Sequence, residues 1–304
     1  MRILGILAVL ALSACASAPA SDAPAAPADP AAPVRSVQEI LDASPASDWR
    51  ALNPENTIYM ELERGRVIIE LATDYAPNHA TNIRALARAN YFDNANILRS
   101  QDNYVVQWGR RDEDPKPLGA ATEVVRGEVV RPRAGIEFTP LPDPDTYADE
   151  VGFSNGFQVA RDGSGTWMTH CYAVVGSARG DGLDGGNGGQ LYVVIGQSPR
   201  NLDRNITLVG RVVQGMELLS TQPRGTGALG FYEAPGEMAV LRSIRVASDV
   251  PAAQRTNLQV LRSDSATWTS VVDARRTRRE AFFAANPVNR LGVCNGSTPV
   301  RPAP

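Results

Sequence analysis

Arg99 stands eight residues before Gln107, with the aromatic Tyr104 and the apolar Val105 and Val106 between them, in a short apolar segment that reads as one strand, ILRSQDNYVVQ over residues 97–107. An arginine stays charged at ordinary pH and presents its donors in a fixed fork. Beside an apolar cleft such a group stabilises an electron-rich atom of a bound substrate without a nucleophile, a metal or a cofactor. The commoner fate of a lone strand arginine is a surface ion pair, and the residues alone leave both readings open. Other chemistries are poorly served. His79 and His170 form no metal set, and neither has an identifiable partner in the sequence; no Cys or carboxylate cluster stands at ligand spacing, and G-x-S-x-G is absent. GDGLDGGNGG, residues 180–189, lacks the lysine and the strand–helix setting of a phosphate cradle, and Asp162, Asp181 and Asp184 lack the twelve-residue calcium pattern. No cofactor and no metal are expected.

The chain that must position Arg99 has 304 residues, 43% hydrophobic and 21% charged, with a formal net charge of −3. That balance offers no electrostatic reason to expect a nucleic acid partner. The first fifteen residues, MRILGILAVLALSAC, read as a targeting segment: Arg2, an apolar run over residues 3–12, and a small-residue cleavage site. Its L-S-A-C ending resembles a bacterial lipobox, which makes Cys15 the lipidation site; an ordinary secretory signal is the plainer alternative. Loss of Arg2 with the signal takes the net charge to −4. Residues 16–35, rich in Ala and Pro, form a semi-rigid tether. Two cysteines remain, Cys171 and Cys294. An oxidising compartment permits a bridge between them, two unpaired thiols being the alternative.

Beyond the tether, Ser36-Val37-Gln38-Glu39 is a capping box that opens a short helix through about Ala43, within a lead-in over residues 36–55. Alternation over residues 57–62 and 66–71 about an Arg64-Gly65 turn is a hairpin. Pro77 starts a helix with Ile83, Leu86 and Ala87 on one face. Residues 110–170 form a long Asp-, Pro-, Gly- and Arg-rich insertion, anchored in part by Trp167 and Met168. A helix is expected over residues 265–285, packing Trp268, Val271, Val272 and Phe282 inward and turning Arg275, Arg276, Arg278 and Arg279 to solvent.

The order hairpin, Pro-initiated helix, Tyr91-Phe92-Asp93 turn and arginine strand resembles the cyclophilins, peptidyl-prolyl cis/trans isomerases. Arg99, Tyr104, Val105 and Gln107 fall without a gap on the family's arginine, phenylalanine, methionine and glutamine; Gln190, Leu191 and Tyr192 fall on its Q-F-F; and LVGRVVQGM, residues 208–216, matches its V-F-G-K-V-x-x-G-M strand. The resemblance covers roughly residues 56–246 and implies a mainly β fold: a closed antiparallel barrel of about eight strands with two capping helices, here over residues 56–248, plus a C-terminal helical extension over 249–304. It also implies roles. Arg99 and Gln107 are the catalytic pair, with Gln107 positioning Arg99 or binding substrate backbone. Tyr104, Val105, Arg179, Gln190, Tyr192 and Leu202 bind substrate, although Val159-Ala160-Arg161 rivals Ala178-Arg179 for the same element. The chain departs from the pattern at Ile97-Leu98, where the family has F-H; at Arg200 or Asn201, where a tryptophan is usual; and at Ile206, which replaces a histidine.

The expected function is isomerisation of X-Pro bonds in envelope proteins. The partners are proline-containing polypeptides in the periplasm and, through the lipid anchor, a membrane, most simply the outer membrane of a Gram-negative bacterium. The alternatives are a catalytically weak peptide-binding or chaperone module of the same fold, and an envelope spacer.

Overall fold

In the computed structural model the described residues are 35–304 other than 185, 281, 286 and 287. The expected signal peptide, Cys15 and the tether up to residue 34 lie outside them. Helix α1 (Val37–Asp42) begins at a reciprocal cap: the Glu39 N–H donates to the Ser36 hydroxyl while the Ser36 N–H donates to the Glu39 carboxylate. Strand β1 (Trp49–Ala51) follows, then the hairpin β2 (Thr57–Leu62) and β3 (Gly65–Leu71), in register from Thr57↔Glu70 to Leu62↔Gly65. Pro77 occupies the first turn of α2 (Pro77–Arg88), where its missing N–H costs no helical bond. Strands β4 (Ala95–Ser100) and β5 (Val105–Gly109) come next.

The insertion supplies β6 (Thr139–Pro140), β7 (Glu150–Ser154), β8 (Phe157–Asp162) and β9 (Gly165–Met168). The chain then returns through β10 (Val174–Ser177), β11 (Gln190–Val194), β12 (Leu208–Gln214), the short helix α3 (Met216–Ser220) and β13 (Val240–Val246). It ends with β14 (Leu258–Leu261), α4 (Ala266–Thr277) and β15 (Val300–Pro302).

Eight strands close into an antiparallel barrel in the order β10-β11-β5-β4-β13-β2-β3-β12. Alternate residues point inward, so Met60, Ile69, Ile97, Val106, Trp108 and Val193 fill one interior, and α2 adds Ile83 and Leu86 to it. The mainly β fold expected from the sequence is the one formed.

The rest of the chain departs from expectation. The insertion is a four-stranded sheet, β6-β7-β8-β9, and the C-terminal extension adds β14 and β15 to β1 in a third sheet as well as a helix. A second core joins α1, the insertion and α4, with Trp268 buried edge-on against Phe153 at 4.8 Å between ring centres. Helix α4 is shorter than residues 265–285: Ser265 caps it, and it stops at Thr277 because Arg278 turns into the left-handed region at φ 41°. Like charges one turn apart (Arg275 with Arg278 and Arg279) oppose its continuation. Phe282 is consequently exposed rather than packed. Nor do all the arginines face solvent. Arg275 lies over the Trp268 ring, Arg276 pairs with the buried Asp143 at 2.8 Å, and Arg278 pairs with Glu280 at 3.5 Å.

Cys171 and Cys294 are bonded, with a Cα–Cα distance of 4.9 Å across 123 residues of sequence. Cys171 directly follows the insertion and Cys294 lies in the extension, so the bond ties together the two segments that build the second core.

Candidate active site

Residues 97–107 form two strands rather than one, β4 and β5, and the turn between them carries Tyr104. Ile97 pairs with Trp108, yet Arg99 pairs with Gln107: the register slips by one residue at Leu98. Without that bulge Arg99 would face Val106 and point into the barrel beside Ile97. The extra residue sends its side chain to the outer face, where Gln107 already lies.

On β11 the same parity places Tyr192 opposite Gln107, Val194 opposite Val105 and Gln190 opposite Gly109. Gly176 of β10 lies opposite Tyr192, and a Cβ there would come within 2.3 Å of the tyrosine ring. Glycine is therefore what lets Tyr192 lie flat on this face. The result is a cleft of about 290 Å³ lined by Arg99, Tyr104, Val105, Gln107, Ala178, Arg179, Tyr192, Leu202, Ile206, Leu229 and Phe231. A wider groove of about 660 Å³ continues from it past Gln107 and Arg179 to Arg111, Glu113 and Asn187.

Arg99 is half-buried. Burial draws its guanidinium below the ordinary arginine value, which still leaves it cationic at neutral pH. Its Nε–H donates to the Leu229 carbonyl at 2.6 Å, and a terminal N–H donates to the Gln101 side-chain oxygen. The rings of Tyr104 and Phe231 flank it at 5.5 and 5.3 Å. Two of its five N–H groups are thus used, and three remain for a substrate. Gln107 does not bond to Arg99. Its amide N–H donates to the Gln190 side-chain oxygen at 3.0 Å, and the Gln190 amide in turn donates to the Arg110 carbonyl at 2.9 Å. Gln190 therefore orients Gln107 and leaves the Gln107 oxygen toward the cleft.

Arg179 spends its donors on the chain itself, reaching the carbonyls of Asn205 (2.7 and 3.1 Å), Gly180 (2.6 Å) and Asp181 (3.0 Å). It shapes the rim with its neighbour Ala178, whereas Val159-Ala160-Arg161 lies in β8, in the second sheet. Among the described residues no group of three or more His, Cys, Asp or Glu side chains is disposed to hold a metal ion.

These strands and this cleft agree with the comparisons to known proteins. Residues 57–228 match the sequence model of the cyclophilin type peptidyl-prolyl cis-trans isomerases. The chain belongs to that family. A probable peptidyl-prolyl cis-trans isomerase of Brucella suis is 26% identical over 180 residues, covering 59% of this chain and 76% of the relative. A peptidyl-prolyl cis-trans isomerase-like protein of Gibberella zeae is 27% identical over 192 residues, covering 63% and 95%. The crystal structure of a cyclophilin from Hirschia baltica superposes with a TM-score of 0.66 at 25% identity, over 87% of this chain and 96% of that one. That last likeness runs well beyond residues 57–228, so it takes in parts of the second body as well as the barrel.

Several residues at this cyclophilin site give no signal in the sequence. Leu229 and Phe231 touch Arg99 because residues 225–232 run along the stretch of β4 that β13 leaves unpaired, with the Gly225 N–H donating to the Ser100 carbonyl and the Tyr232 N–H to the Leu98 carbonyl, and Gln101 meets it from two residues along the chain. Neither histidine lacks a partner, contrary to the reading from sequence. His79 Nδ1 lies 2.8 Å from the Glu128 carboxylate, and His170 Nδ1 lies 2.9 Å from that of Asp203. Arg200, one of the two residues expected to replace a cleft tryptophan, is buried between Asp145 and Asp203, and the other, Asn201, is exposed; neither lines the cleft.

Proposed function

We propose that this cyclophilin rotates X-Pro bonds by using Arg99 to stabilise the twisted amide. The barrier to rotation, about 18–20 kcal/mol, arises from resonance between the amide nitrogen and its carbonyl. A twisted bond has lost that resonance, so its nitrogen turns pyramidal with a localised lone pair and becomes a hydrogen-bond acceptor, which the planar amide nitrogen is not. A cation fixed at that point therefore binds the transition state more tightly than either ground state. Val105, Tyr192, Leu202 and Ile206 hold the proline ring, and Gln107, oriented by Gln190, takes a backbone N–H of the peptide. The observation that carries the reading is the bulge at Leu98, which brings the half-buried, three-donor face of Arg99 out beside Gln107 and the apolar wall.

The substrates we infer are proteins of the cell envelope, reached from a lipid anchor on Cys15 in a periplasm-facing, outer-membrane location. The L-S-A-C segment, the tether behind it and the bonded pair Cys171–Cys294, which suits an oxidising compartment, support this placement. Mass spectrometry of the mature N-terminus is expected to show a lipid-modified Cys15; an unmodified N-terminus beyond it would contradict the anchor.

The catalytic reading is tested by a protease-coupled assay on a prolyl tetrapeptide. Arg99→Ala is expected to lower kcat/KM by about 10²–10³-fold with an unchanged thermal midpoint. Equal turnover by the parent and the variant would remove Arg99 from the mechanism.

A further inference from the structure

Behind the cleft wall a continuous chain of buried polar groups runs from the insertion to the ring of Tyr192. Asp145, in the segment between β6 and β7, receives two N–H bonds from the Arg200 guanidinium at 2.9 and 3.0 Å. The Nε–H of Arg200 donates to one oxygen of Asp203 at 2.5 Å. The other oxygen of Asp203 accepts the backbone N–H of His170 and faces His170 Nδ1, both at 2.9 Å. His170 Nε2 lies 2.9 Å from the Tyr192 hydroxyl, with the two rings nearly parallel at 9°. His170 is fully buried, and Arg200, Asp203 and Tyr192 are nearly so.

For the neutral imidazole the donors and acceptors have one consistent assignment. A carboxylate only accepts, so Asp203 holds the proton of the imidazole on Nδ1, and Nε2 is left to accept from the Tyr192 hydroxyl. Both ends of this chain bear on the proline pocket. Tyr192 is its ring wall on β11. Leu202, another cleft residue, sits in the 200–202 turn that the two salt bridges of Arg200 clamp. No step of the rotation mechanism uses His170, Asp203, Arg200 or Asp145.

We infer that His170 is a positioning residue of the isomerase: through Asp203 on one side and the Tyr192 hydroxyl on the other, it fixes two residues that line the proline pocket, Tyr192 and Leu202, and with them the pocket's shape. The inference rests on the isomerase reading of that cleft. Its physical basis is that a tyrosine hydroxyl buried on the far side of a substrate pocket has no water to turn to. Losing His170 leaves the hydroxyl unpaired, and the ring must then move to find a partner.

The test is a KM and kcat measurement on a prolyl tetrapeptide for the parent, His170→Leu, Tyr192→Phe and the double variant, with the denaturation midpoint of each. His170→Leu is expected to raise KM about tenfold while kcat stays within about threefold, because the transition-state donor on Arg99 is untouched. Adding Tyr192→Phe removes the stranded hydroxyl and is expected to bring KM back to within about threefold of the parent, since deleting both partners of a buried bond costs less than deleting one. A residue that only stabilises the fold would lower the midpoint and leave KM of the folded protein unchanged, with no rescue by Tyr192→Phe.

Should His170→Leu fail to fold, His170→Gln and Tyr192→Phe serve the same comparison: each raises KM, and together they do so less than additively. Unchanged KM in both, or strictly additive effects, would overturn the inference while leaving the isomerase reading intact. A parent protein with no activity would overturn the isomerase reading and the inference with it.

Discussion

The cleft draws its walls from neighbouring strands of one barrel. Arg99 on β4, Gln107 on β5 and Tyr192 on β11 are cross-strand neighbours on a single outer face, each set by register and parity. The body around Trp268 is assembled differently. It gathers Ile40 from α1, Phe153 and Trp167 from the insertion, and Val271 and Val293 from the C-terminal extension, and a cystine closes it across 123 residues. The placement of the three cleft side chains follows from strand pairing. The second body requires segments far apart in sequence to meet before any of them is buried, and loop-closure entropy opposes that meeting. The cleft proposed for catalysis and the body that consolidates the chain are thus two parts of the molecule, and they touch at His170, the residue before Cys171.

If that division holds, the largest effect on stability comes from the second body and leaves the chemistry alone. Cys294→Ser is expected to destabilise the protein by up to about 4–5 kcal/mol, the chain-entropy value for a loop of this length. Urea denaturation read by tryptophan fluorescence measures it. At 25 °C the folded variant should keep the parent's kcat; a loss of turnover with little loss of stability would show that the two regions are not separable.

The converse test strikes the cleft. Gly176→Ala places a Cβ against the Tyr192 ring and displaces a pocket wall, so kcat/KM should fall about 10–100-fold with a modest change in the urea midpoint. An alanine variant as active as the parent would mean that the position of Tyr192 is immaterial to the site.

The smallest effect concerns the seam between insertion and barrel. Glu128 accepts the N–H groups of Asn78 and His79 at the start of α2 and contacts the His79 ring. Burial alone would raise its carboxyl, but the bonds from the His79 ring and from these two backbone groups outweigh it and hold the group below the usual carboxylate range. A carboxyl lowered in the folded state contributes stability that is complete above its unfolded value, about 4.3, and is lost as pH falls through the folded value. Glu128→Gln should therefore lower Tm by about 2–4 °C at pH 7, with the gap between parent and variant closing below about pH 4. A gap that does not narrow at all as the pH is lowered from 7 into the acid range would contradict the ionised cap.

The two regions also differ in how far the sequence discloses them. The barrel strands alternate visibly, Pro77 marks its helix, and the spacing of Arg99, Tyr104, Val105 and Gln107 places all four at the cleft, because these signals are local. The bulge at Leu98 is not visible: a one-residue slip leaves no mark on composition, although it decides which face Arg99 takes. His170 meets Asp203 and Tyr192 from positions 33 and 22 residues away, with no periodicity linking them. The insertion reads as a loop because its strands are short and its Asp, Pro and Gly residues dominate the window. Helix α4 reads too long because apolar spacing says nothing of the left-handed turn at Arg278 that ends it.

The central claim is that Arg99 acts on the rotating bond and is more than a contact for the peptide. NMR exchange spectroscopy on a prolyl peptide, recorded with saturating protein, separates the two by giving the on-protein cis–trans rate and the dissociation constant together. For Arg99→Ala the on-protein rate is expected to be lower by about 10²–10³-fold with Kd changed by less than about tenfold. A weakened Kd with an on-protein rate equal to the parent's would contradict it, and would make the cleft a place where prolyl peptides are held and Arg99 one of the hands that hold them.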